Sequence, residues 1–285
     1  MLATVPQKAT ASPTLMAVLA HPDDESTSTG GILARYATEG VRTIAVTCTN
    51  GEYGDGPGGI KPGQPGHDTH QVVAIRLAEL RLACQHLGVA CLEALGYHDS
   101  GTATDSRQRD VTVFCDIPVD VAAAPVADLL NRYRPNVVVT HDPEFPFQHP
   151  DHVHAGRVTT HAVQHTHISA TLYYKAHGIS HWTRLRQLLH SIGVQLPEPT
   201  VEVAEALQVV ERRITTVVDL GDAVDRKHAA LHAHASQISS SLAGKLPLDH
   251  FRRCFSSESF IRARAPAAIG IIENSLLTDL DEGSP

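Results

Sequence analysis

Cysteine is scarce in this chain and badly spaced for structural work. There are five in 285 residues, an odd number, and no two stand as Cys-x-x-Cys. That spacing speaks against a disulfide framework or a thiolate metal knuckle, and several of the five sit in apolar stretches. They read as reduced, mostly buried thiols in a cytoplasmic protein. Basic residues are also outnumbered. Lys and Arg total 23 against 31 Asp and Glu, a formal net charge of −8, which argues against nucleic acid or an anionic membrane as the main partner. No apolar run reaches membrane-spanning length, and residues 1–13 hold one lysine and no signal-peptide core. Two glycine signatures are missing as well. Without Gly-x-x-x-x-Gly-Lys-Ser/Thr no phosphate loop is expected, and without Gly-x-Gly-x-x-Gly after the first strand no dinucleotide site is expected. Ser26 and Ser28 lack triad-like surroundings, so a serine hydrolase scores low.

What the chain has instead is histidine, 19 of them, together with 42% hydrophobic residues, enough for one sizeable core. Apolar runs alternate with helical periodicity, which predicts an α/β fold, a Rossmann-like mostly parallel sheet flanked by helices. Strands are expected at 15–20, 41–47, 91–95, 136–140, 168–174 and 215–220. Helices are expected at 28–38, 69–86, 124–133, 151–164 and 223–237. Residues 50–68, with seven glycines and three prolines, cannot be a regular element, and 96–110 reads as polar loop. The pattern weakens over 178–211. The chain therefore divides into a Rossmann-like catalytic region, 1–177, and an accessory C-terminal segment with a returning strand and helix of the same domain, 178–285. The acidic end, 273–285, reads as loose.

Two polar clusters interrupt this pattern. The apolar run ending at Ala20 stops at His21-Pro22-Asp23-Asp24-Glu25, and the strand at 136–140 is followed by His141, Asp142 and His149-Pro150-Asp151-His152. Ligands of open α/β sheets bind beyond the carboxyl ends of the strands, so both clusters project to one edge. Their imidazoles and carboxylates suit a divalent metal: three protein ligands leave a position for water, which the metal acidifies while it polarises a carbonyl. Two adjacent aspartates can divide the labour, one on the metal and one acting as base. His149 and His152, three apart, share a helix face, and His154 points elsewhere. Each motif alone has a plainer reading. An Asp pair after a strand also serves as a helix cap with first-turn acids, and a solitary His-x-x-His is often solvated.

Ala20-His21-Pro22-Asp23-Asp24-Glu25 and His149-Pro150-Asp151-His152 resemble the paired motifs of the PIG-L/LmbE-like zinc-dependent N-deacetylases. The likeness covers about 15–160 and resumes at Lys227–Ile238, which is similar to that family's late Lys-x-x-Ala-Leu-x-x-His-x-Ser-Gln pattern. It implies that His21, Asp24 and His152 hold Zn²⁺, or another divalent ion. Asp23 would be the general base, His149 the general acid or oxyanion partner, and Asp151 the group that orients His149. Glu52, Arg76 and Asp99 match positions where relatives contact the sugar; a turn acid, a helix-surface arginine and a loop acid are the plainer readings. One residue departs: mycothiol-type relatives often carry a tyrosine where this chain has Phe147. The implied function is hydrolytic removal of an acetyl or other acyl group from an N-acylated amino-sugar conjugate, a small molecule. The alternatives are an amidase of a mycothiol-type thiol–sugar conjugate and a catalytically silent metal- or sugar-binding protein. The glycine- and proline-rich loop at 51–66 lies at the same edge, either closing over the substrate or standing clear of it.

Overall fold

The computed structural model describes residues 12–101, 111–263 and 272–278. Five strands are parallel: β1 (Thr14–Leu19), β2 (Arg42–Thr49), β3 (Cys91–Tyr97), β4 (Val137–His141) and β5 (Thr171–Ala176). Two more, β6 (Thr216–Asp219) and β7 (Ser257–Arg262), extend the β5 edge in antiparallel fashion. The order is β3-β2-β1-β4-β5-β7-β6. Chain progression reverses direction between β1 and β4, and a crevice opens at such a switch point. The expected α/β sheet is what the structure contains.

β1 is buried on both faces. Leu15, Ala17 and Leu19 enter one core beneath α2 (Gly30–Thr38) and α8 (Ala223–Ala233). Met16, Val18 and Ala20 enter the other beneath α4 (Val119–Tyr133) and α5 (Pro150–His165). That is why its sequence is continuously apolar rather than alternating. The longest helix, α3 (Thr69–Leu87), starts on the Asp68 carboxylate, which accepts from the His70 and Gln71 amides, and stops at left-handed Gly88. All five cysteines are unpaired. No helix among the described residues is long and apolar enough to cross a membrane.

Several elements differ from the sequence expectation. The helix expected at 28–38 is α2, and a separate short helix, α1 (Asp24–Thr27), precedes it. α4 begins at Val119, with Pro125 inside it; the carbonyl that proline frees belongs to Val121, whose exposure lets water satisfy it. β5 begins at Thr171 rather than 168. The weakly patterned 178–211 stretch is two helices, α6 (Ile179–Ser191) and α7 (Val201–Arg213). The helix expected to reach 237 ends at Ala233. Glu273–Thr278 is not loose: Glu273 bridges to Thr216, and the Leu276 amide donates to the Tyr36 hydroxyl at 2.8 Å. Residues 102–110, 1–11 and 279–285 lie outside the described residues.

β7 escaped notice in the sequence because an inward position that alternation reserves for an apolar side chain holds Glu258. Its carboxylate meets Lys227 Nζ of α8 at 2.5 Å and accepts from the Gly31 and Ile32 amides at the start of α2. Both side chains of this ion pair are about 1–2% exposed. Lys227→Met leaves a buried carboxylate without its cation and should lower unfolding free energy by about 3 kcal/mol. Urea unfolding checks this, and a loss under about 1 kcal/mol would show that the pair behaves as a surface bridge.

Candidate active site

The chain leaves β1 through a strained corner. Asp23 has φ 129°, a region that disfavours any residue with a Cβ. Two clamps hold it. Arg76, from α3, donates to the Pro22 carbonyl at 2.5 Å, the Gly51 carbonyl at 2.7 Å and Asp23 Oδ2 at 3.0 Å. On the other side the Glu25 carboxylate accepts from the Asp23 amide at 3.0 Å and pairs with His234 Nε2 at 2.6 Å. Gly51 is left-handed (φ 68°), and a side chain there would run into the Arg76 guanidinium. Arg76 is thus a buried strut of the corner rather than a helix-surface residue.

The corner turns Asp24 inward. His21 Nδ1, His152 Nε2 and the Asp24 carboxylate form a triangle: the two nitrogens are 3.2 Å apart, His152 Nε2 lies 3.3 Å from Asp24 Oδ1, and His21 Nδ1 lies 3.5 Å from Asp24 Oδ2. A tetrahedron with bonds of about 2.0–2.2 Å has edges of about 3.3–3.6 Å, so these donors fit a small divalent ion, and the group can hold a metal. His141, at the end of β4, supports it: its ring stacks on His152 at 4.0 Å, and its Nε2 accepts from the Ala20 amide at 3.2 Å. Sequence reasoning placed His141 in the cluster but gave it no task.

Electrostatics show a site that wants positive charge. Burial opposes a charge on His21, yet Asp99, Asp151 and Asp24 hold its imidazole well above the ordinary histidine range. Burial also pushes Asp24 up, and His152 and His141 pull it well below the usual carboxylate range. Asp23 goes the other way. Burial raises it, Arg76 pulls it back, Asp24 adds repulsion, and it ends above its usual value. Burial and the neighbouring His21 push His149 down to about 4.

His149 caps α5 with Nδ1 accepting from the Asp151 amide at 3.2 Å. Its neutral form therefore carries the proton on Nε2. The Asp151 carboxylate lies 3.8 Å from His149 Nδ1 but 3.3 Å from His21 Nε2, and accepts from the Ser100 amide at 2.8 Å. Geometry thus gives the orienting of His149 to the Asp151 backbone and the bracing of His21 to its carboxylate. Asp99 lies on the same side, 3.6 Å from His21 Nε2, and accepts from the Gly101 amide. Glu52 accepts from the Asp99 amide and meets His98 at 2.6 Å. His154 is turned away and packs edge-on against Phe114.

The loop at 51–66 is pinned. Gln237 makes two hydrogen bonds to the Asp55 backbone, and the Asp55 carboxylate binds Lys61 and Ser240. Ser236 binds Glu79 of α3. The late Lys227–Gln237 motif therefore touches no member of this donor triangle; it braces the Asp23 corner and this loop. Neither role was legible from the motif's spelling, though its polar residues at fixed spacing were the available signal.

A family model described as PIG-L, GlcNAc-PI de-N-acetylase, matches residues 16–163. The chain belongs to the PIG-L family. Among its PIG-L relatives, a protein of Acidothermus cellulolyticus named 1D-myo-inositol 2-acetamido-2-deoxy-alpha-D-glucopyranoside deacetylase is 37% identical over 94% of this chain and 95% of its own. One of the same name from Mycobacterium sp. is 36% identical, covering 82% and 77%. Solved structures share the fold at lower identity. The N,N'-diacetylchitobiose deacetylase of Pyrococcus horikoshii superposes with TM-score 0.58 at 20% identity, over 88% of this chain and 84% of its own. The hydratase GalB of Pseudomonas putida does so with TM-score 0.60 at 18% identity, over 89% and 97%. The fold alone therefore does not decide the reaction.

Beside the donor triangle, toward β5, Lys175 is buried with its Nζ donating to the carbonyls of Ala176 and Ser259. Burial pushes its amine down to about 7. The unfolded chain, with lysine near 10.4, then binds one more proton between those values, so stability rises with pH across that window. Relative to Lys175→Met, the wild type should gain stability from about pH 7 to 10 at roughly 1.4 kcal/mol per unit. Parallel curves for the two proteins in denaturant titrations would contradict a neutralised lysine.

Proposed function

We propose that this PIG-L protein is a zinc-dependent amide hydrolase that removes acetyl from an N-acetylated amino sugar. An N-acetylglucosaminyl inositol, the substrate in the names of its relatives, is the first candidate. The observation that carries the reading is the donor triangle with a second, non-ligating carboxylate, Asp23, clamped beside it. A binding protein needs the ligands but has no use for that carboxylate in a strained corner.

His21, Asp24 and His152 would hold the ion. When bound, Zn²⁺ supplies Lewis acidity that polarises the amide carbonyl and makes water a better nucleophile. Asp23, raised above its usual value by burial yet kept ionisable by Arg76, takes a proton from the attacking water and delivers it to the departing amine. His149, neutral and with its Nδ1 tied to the helix start, presents Nε2–H to the developing oxyanion. It takes the part that a tyrosine hydroxyl at position 147 would share. Asp151 holds His21 in place, and Asp99 and Glu52 form the polar wall that faces the sugar. The uncharged small-molecule substrate and the unpaired cysteines suit a cytoplasmic setting.

The test is amine release from a panel of N-acetylglucosaminides, with and without chelator. Release should vanish on chelation and return with Zn²⁺. Asp23→Asn should cut kcat at least 100-fold, as expected for a lost general base, while one metal ion per chain stays bound. Chelator-resistant release, or full activity in Asp23→Asn, would overturn the reading.

A further inference from the structure

The carboxyl edge of the sheet is chemically divided. On the β2–β3 side of the ligand triangle stand Glu52, Asp99 and half-exposed His98, all polar. On the β5 side lies a cavity of about 250 Å³, bordered by Asp24, His141 and His152 at one end and by Phe145, Phe147 and Trp182 at the other. The same three aromatic residues border a larger hollow of about 950 Å³ at α6 and α7, which Leu196, Val203 and Leu207 continue. Phe147 is 50% exposed, so packing within the chain does not account for it.

A sugar needs hydrogen-bond partners for its hydroxyls, and these stand on the β2–β3 side. The acyl carbon's substituent then faces β5. An acetyl methyl would stop near the ligands and leave the rest of that cavity and the aromatic wall without a task. Nor do the cavity and the hollow ask for a charged occupant. Arg186 is paired with Glu198 at 2.6 Å, Arg213 with Asp142 at 2.8 Å, and Lys175 is bonded to two carbonyls. Burial holds His177 well below the ordinary histidine range.

We propose that the acyl side of this site takes a straight-chain fatty acyl group, laid along Phe145, Phe147 and Trp182 toward the α6–α7 hollow. The protein would then release fatty acids from N-acylated amino sugars as well as acetate. Water adds its oxygen to the acyl carbon, the C–N bond breaks with its electron pair going to nitrogen, and the proton follows to give the amine. This rests on the N-deacetylase reading above and widens its substrate class.

The test is kcat/KM on one methyl glucosaminide carrying acetyl, butanoyl, hexanoyl or octanoyl on nitrogen. A second series keeps the acetyl and lengthens the aglycone from methyl to octyl. Both are run with the wild type and with Phe147→Asp, each loaded with zinc. The expected result is a rise of roughly fourfold per buried methylene from acetyl to hexanoyl, and a loss in Phe147→Asp at least tenfold greater for hexanoyl than for acetyl. A steep fall from acetyl to butanoyl, with acetyl still cleaved, would overturn the acyl channel and leave the deacetylase standing. Selective loss of the long aglycones in Phe147→Asp would assign the hollow to the aglycone and also overturn it. No release from any N-acyl sugar would overturn both.

Discussion

The backbone at Asp23 is held at φ 129°, and the rest of the site follows from that turn. A residue with a Cβ adopts such a conformation only where its surroundings over-determine it. Here Arg76 grips the carbonyl before the corner and Glu25 grips the amide within it. The result is that two adjacent carboxylates face different ways. Asp24 enters the ligand triangle, while Asp23 keeps a partly exposed carboxylate beside it, 26% accessible. A relaxed helix start would have put both acids to work on the helix dipole instead. Glu25, the third acid, lies outside the donor triangle. It is the strut that ties the corner to His234, and through the segment after α8 to the pinned loop.

Burial gives this arrangement its electrical character. Charges a few ångströms apart interact far more strongly there than in water, and Asp24, Asp99 and Asp151 all surround His21 within 3.3–3.6 Å. A proton on His21 and a cation in the triangle are two answers to the same negative field. His149 lies outside that balance: its burial and the nearby His21 keep it neutral, which makes it a hydrogen-bond donor rather than a competing charge.

How much of this was readable from sequence depends on where the information lies. The parallel strands were legible because β1 and β4 are buried on both faces and therefore spell continuous apolar runs. The gathering of His21, Asp24 and His152 was legible because polar side chains at strand ends have no packing reason to be there. β7 was hidden by Glu258, whose partner Lys227 is 31 residues away. α6 and α7 were hidden because each buries only two or three side chains. The break between α1 and α2 and the strain at Asp23 are backbone facts set by distant contacts, which no local pattern carries. Arg76 read either as a sugar contact or as a surface arginine on an amphipathic helix, and only the approach of Gly51 and Pro22 shows it as a strut of the corner. Similarly, the late motif reads as a helix face, and its purpose appears only once Gln237 is seen holding Asp55.

His21 stands between two sets of donors. Its Nδ1 faces Asp24 and His152, and its Nε2 faces Asp151 and Asp99, which with His149 form a second compact group. Catalysis by Asp23 and His149 requires the metal to choose the first. Crystals of the zinc-loaded protein, measured at the zinc absorption edge, decide the matter by the position of the anomalous peak. A single peak within bonding distance of His21 Nδ1, Asp24 and His152 is the predicted result. A peak on the Nε2 side, among Asp99, His149 and Asp151, would contradict it, because His149 would then be a ligand and Asp23 would stand beside no metal at all.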